Sequence, residues 1–185
     1  MTRRPETLTS LLCAYHRDLG WLFGALGQID HPEREERLVG KLVLEMLRHF
    51  MIEERYLHPI VTQAFRDGVT RVREERVERD HAEEAMRMLE RVDLSDQRAE
   101  ELLHALGQGF ERHVEFQEEE LFPALERTLS PNQLAALARA AAQTREPGAS
   151  HSHPMAPGGK SDLLTPREGL VDRIHQALWQ QWAAR

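Results

Sequence analysis

The sequence specifies an all-α protein. Four long helices form an up-down-up-down bundle, followed by a short fifth helix and a C-terminal amphipathic helix after a Pro/Gly-rich linker. Three observations lead there. Apolar residues recur at helical spacing along most of the chain. Aromatics make up only 6% and charged residues 30% of the 185 residues, with a mean hydropathy of −0.57. That composition suits helices with one apolar stripe each and is poor in sheet-building residues. Caps, prolines and glycines interrupt the pattern at short turns, which makes successive helices antiparallel neighbours.

The first helix, about 6–29, carries Leu8, Leu11, Leu12, Tyr15, Leu19, Leu22, Phe23 and Leu26 on one stripe. Asp30 reads as an N-cap with Pro32 in the following first turn. It opens a second helix to about residue 67, which Pro59 kinks and Gly68 stops. The third covers about 70–92 through Val77, Ala85, Met88 and Leu89. Ser95 is a candidate cap for the fourth, about 96–128, through Leu103, Leu106, Phe110 and Leu121. Ser130-Pro131-Asn132-Gln133 is a capping box for a short fifth helix to about residue 145. Residues 147–169 then hold 8 of the chain's 20 Gly and Pro residues. The expected organisation is a bundle with its fifth helix over 1–146, a linker over 147–165 and an amphipathic helix over 166–185. Thr165 and Pro166 cap that last helix, and its stripe runs through Leu170 or Val171, Ile174, Leu178 and Trp182.

Several function classes drop out. Lys plus Arg is 24 and Asp plus Glu 31, so the net charge is 24 − 31 = −7, and no basic face points to nucleic acid. No apolar run approaches the roughly 18 residues of a membrane span. The N-terminus has no apolar core of a secretory signal. A single cysteine, Cys13, excludes an internal disulfide and a cysteine-based metal site. The expectation is a cytoplasmic protein.

The unusual feature is ten histidines arranged around an internal repeat. The second helix contains His49-Phe50-Met51-Ile52-Glu53-Glu54 and ends Leu57-His58-Pro59. The fourth contains His113-Val114-Glu115-Phe116-Gln117-Glu118 and ends Leu121-Phe122-Pro123. The offset is 113 − 49 = 64 for the histidines and 123 − 59 = 64 for the prolines, while 81 − 16 = 65 relates His16 to His81. Each of the four helices thus aims one imidazole, His16, His49, His81 or His113, at the bundle axis. Unpartnered imidazoles in an apolar core cost roughly 1–3 kcal/mol each. A metal removes that cost, and imidazole with carboxylate suits Fe, Mn or Zn. His49 and Glu53, four apart, share one helix face, so the carboxylate can bridge to a neighbouring ion.

Together these residues resemble the hemerythrin-like family of His-His-Glu cation-binding domains over about residues 8–128. The resemblance rests on His16, the His49/Glu53 pair ahead of Pro59, His81, and His113 ahead of Leu121-Phe122-Pro123. It implies a four-helix bundle holding two non-haem irons, with Zn or Mn as substitutes. It also implies a role in binding or sensing dioxygen, peroxide, nitric oxide or iron. The tail resembles that of bacterial members. The family pattern expects a bridging carboxylate four residues after His113, where this chain has Gln117. Glu118 is the substitute, at a spacing oxygen-carrying hemerythrins use, and it needs a π-type bulge to face inward. Oxygen carriers also have a second histidine on the third helix, where this chain has Val77. Three arrangements stay open: Glu118 completes a two-metal site, Gln117 faces an asymmetric one, or the site stays empty.

The remaining histidines carry less. His31 and His58 sit at helix ends and are expected to be solvated, His104 lies at a boundary, and His151 and His153 fall in the linker. Cys13 and Tyr15 read as packing residues, and Glu54 and Glu84 as solvated or Arg-paired carboxylates, with orienting a histidine as their alternative role. The functional expectation is a metal-binding protein for a small ligand, without commitment to catalytic turnover. Its rivals are a peroxidase, catalase-like or iron-site repair activity, and a metal-free interaction module. Trp179 and Trp182 in the last helix suggest a homodimer.

Overall fold

The computed structural model describes residues 6–28, 31–142 and 169–183, and among these there is no strand. The 147–165 linker, the Thr165-Pro166 cap and Asp30 lie outside the described residues. The all-α expectation holds, with the bundle helices broken more finely than the periodicity indicates.

Helix α1 (Leu8–Leu26) opens on a reciprocal cap between Thr7 and Ser10. Helix α2 (Pro32–Ile52) starts with Pro32 behind His31, with Glu33 and Glu35 in its first turn, where negative charge complements the helix dipole. It does not stop or simply kink at Pro59. It runs through a π-helical turn, Glu53–Leu57, into α3 (His58–Ala64). Pro59 has no N–H to continue the ladder, and the N–H just before it, that of His58, reaches back five residues to the Glu53 carbonyl. The second half repeats this. Helix α5 (Gln97–Phe116) passes through a π turn, Gln117–Leu121, into α6 (Phe122–Thr128), and the Phe122 N–H bonds the Gln117 carbonyl ahead of Pro123.

Helix α4 (Gly68–Leu89) begins at Gly68 rather than following it as a stop. A Cβ there would run into the Val61 carbonyl oxygen, so only glycine lets α4 start this close to α3. Asp96, not Ser95, caps α5 by accepting the Arg98 N–H. Ser95 instead donates its N–H and hydroxyl to Asp93. The Ser130/Gln133 capping box opens α7 (Pro131–Ala142) as expected.

The last helix, α8 (Leu170–Ala183), lies against α2 and α4. Glu90, at the end of α4, caps it by accepting the N–H groups of Gly169, at 2.9 Å, and of Val171. Gly169 has φ +81°, a conformation glycine adopts without steric cost. Leu170, Val171, Ile174 and Leu178 are buried in the core, so this stripe is covered by the chain's own bundle. The side chains of Trp179 and Trp182 lie outside the described residues.

Two apolar clusters make the core. One gathers Leu19, Leu22, Leu42, Leu47, Met86, Leu106 and Phe110 with the α8 stripe. The other gathers Leu8, Leu12, Tyr15, Leu57, Val61, Leu121 and Leu125. Along α1, α2 and α5 the buried polar residues His16, His49, Glu53, His113 and Gln117 fall between the two. No described helix is long and apolar enough to cross a membrane.

Candidate metal centre

The four residues at the junction converge. Helix α1 supplies His16, α2 supplies His49, the first π turn supplies Glu53, and α5 supplies His113. One ligand atom from each lies within 4.8 Å of all the others. His49 Nε2 stands 3.1 Å from His113 Nε2. Glu53 Oε1 is 3.2 Å from the first and 3.1 Å from the second. The His16 ring centroid is 4.9 Å from that of His49 and 5.7 Å from that of His113. Two imidazole nitrogens this close can share at most one proton, and a cation would use both lone pairs.

The electrostatics keep His16 and Glu53 in the forms a cation needs, while His113 holds its proton more tightly than usual. Burial, with the neighbouring His49 and His113, lowers the His16 pKa to about 3, so the ring stays neutral. Burial would raise the Glu53 carboxyl, but His49 and His113 outweigh it and hold it well below the usual range. Burial would likewise lower His113, and Glu53 outweighs it and raises that ring. A cation bound there would displace the proton that Glu53 favours on His113.

Whether these residues fit a metal is tested by the atoms left over. His16 Nδ1 lies 2.7 Å from Glu118 Oε1. As a carboxylate only accepts, this nitrogen carries the hydrogen and Nε2 presents a lone pair. That Nε2 is buried with no hydrogen-bond partner, as are Oε1 of Gln117, Nε2 of His58 and Oε2 of Glu75. Each such group costs roughly 1–3 kcal/mol when left unmade. A buried set of orphaned nitrogen and oxygen acceptors fits a first-row divalent cation.

Not every sequence-derived candidate joins the cluster. Glu118 does not enter it: its side chain is partly exposed and its carboxylate accepts from His16, orienting that ring from outside. Gln117 is fully buried, and its amide nitrogen donates to Glu53 Oε1 at 2.6 Å and to Glu75 Oε1 at 2.7 Å. His81 is exposed, so the expectation that it points at the bundle axis is corrected. The 65-residue offset from His16 puts it one residue beyond the register of the other pairs, about 100° further round the helix. The third bundle helix instead turns Glu75 inward. His58 is also corrected: it is 4% exposed, not solvated. The π turn carries it onto the inner face five residues after Glu53, which 3.6-residue spacing does not anticipate. The signal for it was in the sequence: the prolines that end both repeats mark where helical register slips. Glu54 pairs with Arg76 and Arg79, as expected of a charged helix face, and also accepts from His58 Nδ1 at 3.1 Å, while Glu84, His31 and His104 are exposed.

A cavity enclosing about 200 Å³ reaches the cluster between α2, α4 and α5. Met46, Phe50, Ala82, Leu106 and Phe110 form apolar walls, and Glu53 and His113 line it from the cluster. The exposed residues His81 and Arg112 also line it and mark its open side. From this position His81→Ala is expected to leave metal content unchanged, measured as ions per chain after dialysis. A loss comparable to that of a clustered histidine would contradict its placement.

No curated protein and no solved structure matches the chain. The family model described as hemerythrin HHE cation binding domain matches residues 7–125, a span that contains all four clustered residues and both π turns. The chain belongs to the hemerythrin HHE cation-binding domain family.

Proposed function

We propose that this chain is a non-haem iron protein that holds two irons in the bundle core and binds or senses dioxygen or a peroxide. The observation that carries this reading is the cluster of three imidazoles and one carboxylate beside an apolar-walled cavity. Iron bound there would supply redox and small-ligand chemistry. The chain's own residues do the rest. His16 stays neutral and ready to ligate. Glu53 stays ionised between two histidines and supplies negative charge where a cation sits. Met46, Phe50, Leu106 and Phe110 give the cavity apolar walls that suit a small, weakly polar molecule, and the exposed Glu78 and Arg112 add charge to its lining. Among the described residues no Ser, Thr, Cys or Lys lines the cavity, so none of them offers a hydroxyl, thiol or amine nucleophile to a substrate there. That favours binding and sensing over turnover of an organic substrate.

The test is metal analysis with optical spectroscopy on protein expressed with ample iron. About two irons per chain are expected, the number for a bundle-core di-iron site, with a near-ultraviolet absorption that changes between nitrogen and oxygen. Sustained peroxide consumption would move the reading to an enzyme. Protein that stays free of iron under these conditions would refute it.

A further inference from the structure

A second group of buried polar atoms lies beside the three-histidine cluster. His58 and Glu75 are 4% and 8% exposed. His58 Nε2 and Glu75 Oε2 stand 3.2 Å apart, yet neither is in hydrogen-bonding geometry with any partner. The other nitrogen of His58, Nδ1, is 3.1 Å from Glu54 Oε2. A carboxylate only accepts, so Nδ1 carries the hydrogen. Burial alone would lower the His58 pKa, but Glu75, Glu53 and Glu54 outweigh it and raise it, so in the metal-free protein a proton is held between the ring and Glu75. The Nε2 and Oε2 atoms are nevertheless not aligned as a hydrogen bond, and a cation in the place of that proton would use both lone pairs.

The same construction occurs once already in this protein. Glu118 holds the Nδ1 hydrogen of His16, whose orphaned Nε2 belongs to the three-histidine cluster. Glu54 and Glu118 are repeat-related, 118 − 54 = 64. Each is the second residue of a π turn, and each takes the outer hydrogen of an imidazole whose inner nitrogen has no partner. Carboxylate–imidazole pairs of this kind orient metal-ligating histidines. Gln117 ties the two groups together, donating to both Glu53 and Glu75.

We infer that His58 and Glu75 hold a second first-row divalent cation, beside the one at His16, His49, His113 and Glu53, with Glu54 positioning His58. The inference rests on the metal-binding reading above and assigns the second ion's protein ligands on the third bundle helix and the first π turn. One nitrogen and one carboxylate oxygen suit Fe, Mn, Co or Zn. Both residues line the cavity, as Glu53 and His113 do, so an ion held by them would face the same open space.

The experiment loads the full chain with cobalt(II) and counts ions per folded chain after equilibrium dialysis, following the cobalt absorption bands. The wild type is expected to take two. Glu75→Gln and His58→Ala are each expected to take one and to keep the bands of the three-histidine position. Glu54→Gln is expected to weaken the second equivalent about 10- to 100-fold and leave the first unchanged. Two ions retained in both Glu75→Gln and His58→Ala would overturn the ligand assignment. One ion in the wild type, unaffected by either change, would overturn the second position and leave the first standing. No ion at all would fail the metal-binding reading itself. If the variants do not fold, anomalous scattering from cobalt-loaded wild-type crystals decides: a second peak against His58 Nε2 and Glu75 Oε2 supports the inference, and a single peak ends it.

Discussion

His49→Ala is expected to lower metal affinity by at least about 100-fold, the upper end of what removing even an outer partner costs, while the metal-free protein stays folded. His49 is fully buried and its Nε2 stands 3.1 Å from His113 and 3.2 Å from Glu53. Alanine removes one of the three nitrogen ligands and leaves two imidazoles and one carboxylate to hold the ion. The metal-free fold should tolerate the change for the same reason the site exists. His49 Nδ1 has no hydrogen-bond partner, and its Nε2 faces another imidazole nitrogen, so in the absence of an ion the ring is poorly satisfied. The lost packing costs about 1–3 kcal/mol. Equilibrium dialysis with a divalent cation gives the affinity, and thermal melting of metal-free protein gives the stability. Unchanged metal affinity would show that the convergence of imidazoles is packing and not ligation.

The fold was legible because its signals are local and redundant. The apolar stripe of α1, the Pro32 start of α2 and the Ser130/Gln133 box each name an element without reference to the rest of the chain. The inward placement of His16, His49, Glu53 and His113 was legible too, since the three histidines sit on unbroken α-helical stripes and Glu53, four residues after His49, only opens the π turn. The errors cluster where that period changes. His58 follows a π turn, so 3.6-residue counting rotates it onto the wrong face. The assignment of His81 relied on the repeat and on a stripe through Val77 and Ala85; Val77 is itself exposed, and a one-residue slip in a helix is a large rotation. Glu75 was invisible for a different reason. A carboxylate within a run of charged residues reads as solvent-facing, and its burial follows only from the Gln117 amide that accompanies it. Repeat symmetry therefore locates the site but not its full inventory. The two halves diverge where Glu53 pairs with Gln117 and His58 with Phe122, 64 residues apart in each case.

That divergence at Gln117 leads to the second large effect. Gln117→Glu should destabilise the metal-free protein by about 3–5 kcal/mol, the range for leaving an uncompensated charge in a buried network. The amide nitrogen now donates at 2.6 Å to Glu53 and 2.7 Å to Glu75. A carboxylate oxygen in its place would meet two other carboxylates at those distances. Even at an effective dielectric near 20, unit charges that close repel by roughly 6 kcal/mol, so one of the three must take up a proton at a cost in folding free energy. For a chain of this size, each kcal/mol lowers the melting temperature by about 2–4 °C, giving a drop of roughly 6–20 °C. A bound divalent cation reverses the sign of the interaction, because a third carboxylate adjoining the three-histidine position is then an added ligand. The metal-loaded Gln117→Glu protein should therefore recover most of the lost stability, and its affinity for the cation should exceed that of the parent. Gln117→Leu separates charge from hydrogen bonding: it strands Glu53 and Glu75 without their shared donor, and metal should restore much less. Equal melting of metal-free parent and Gln117→Glu, or equal rescue of both variants by metal, would mean that this glutamine does not keep two carboxylates apart.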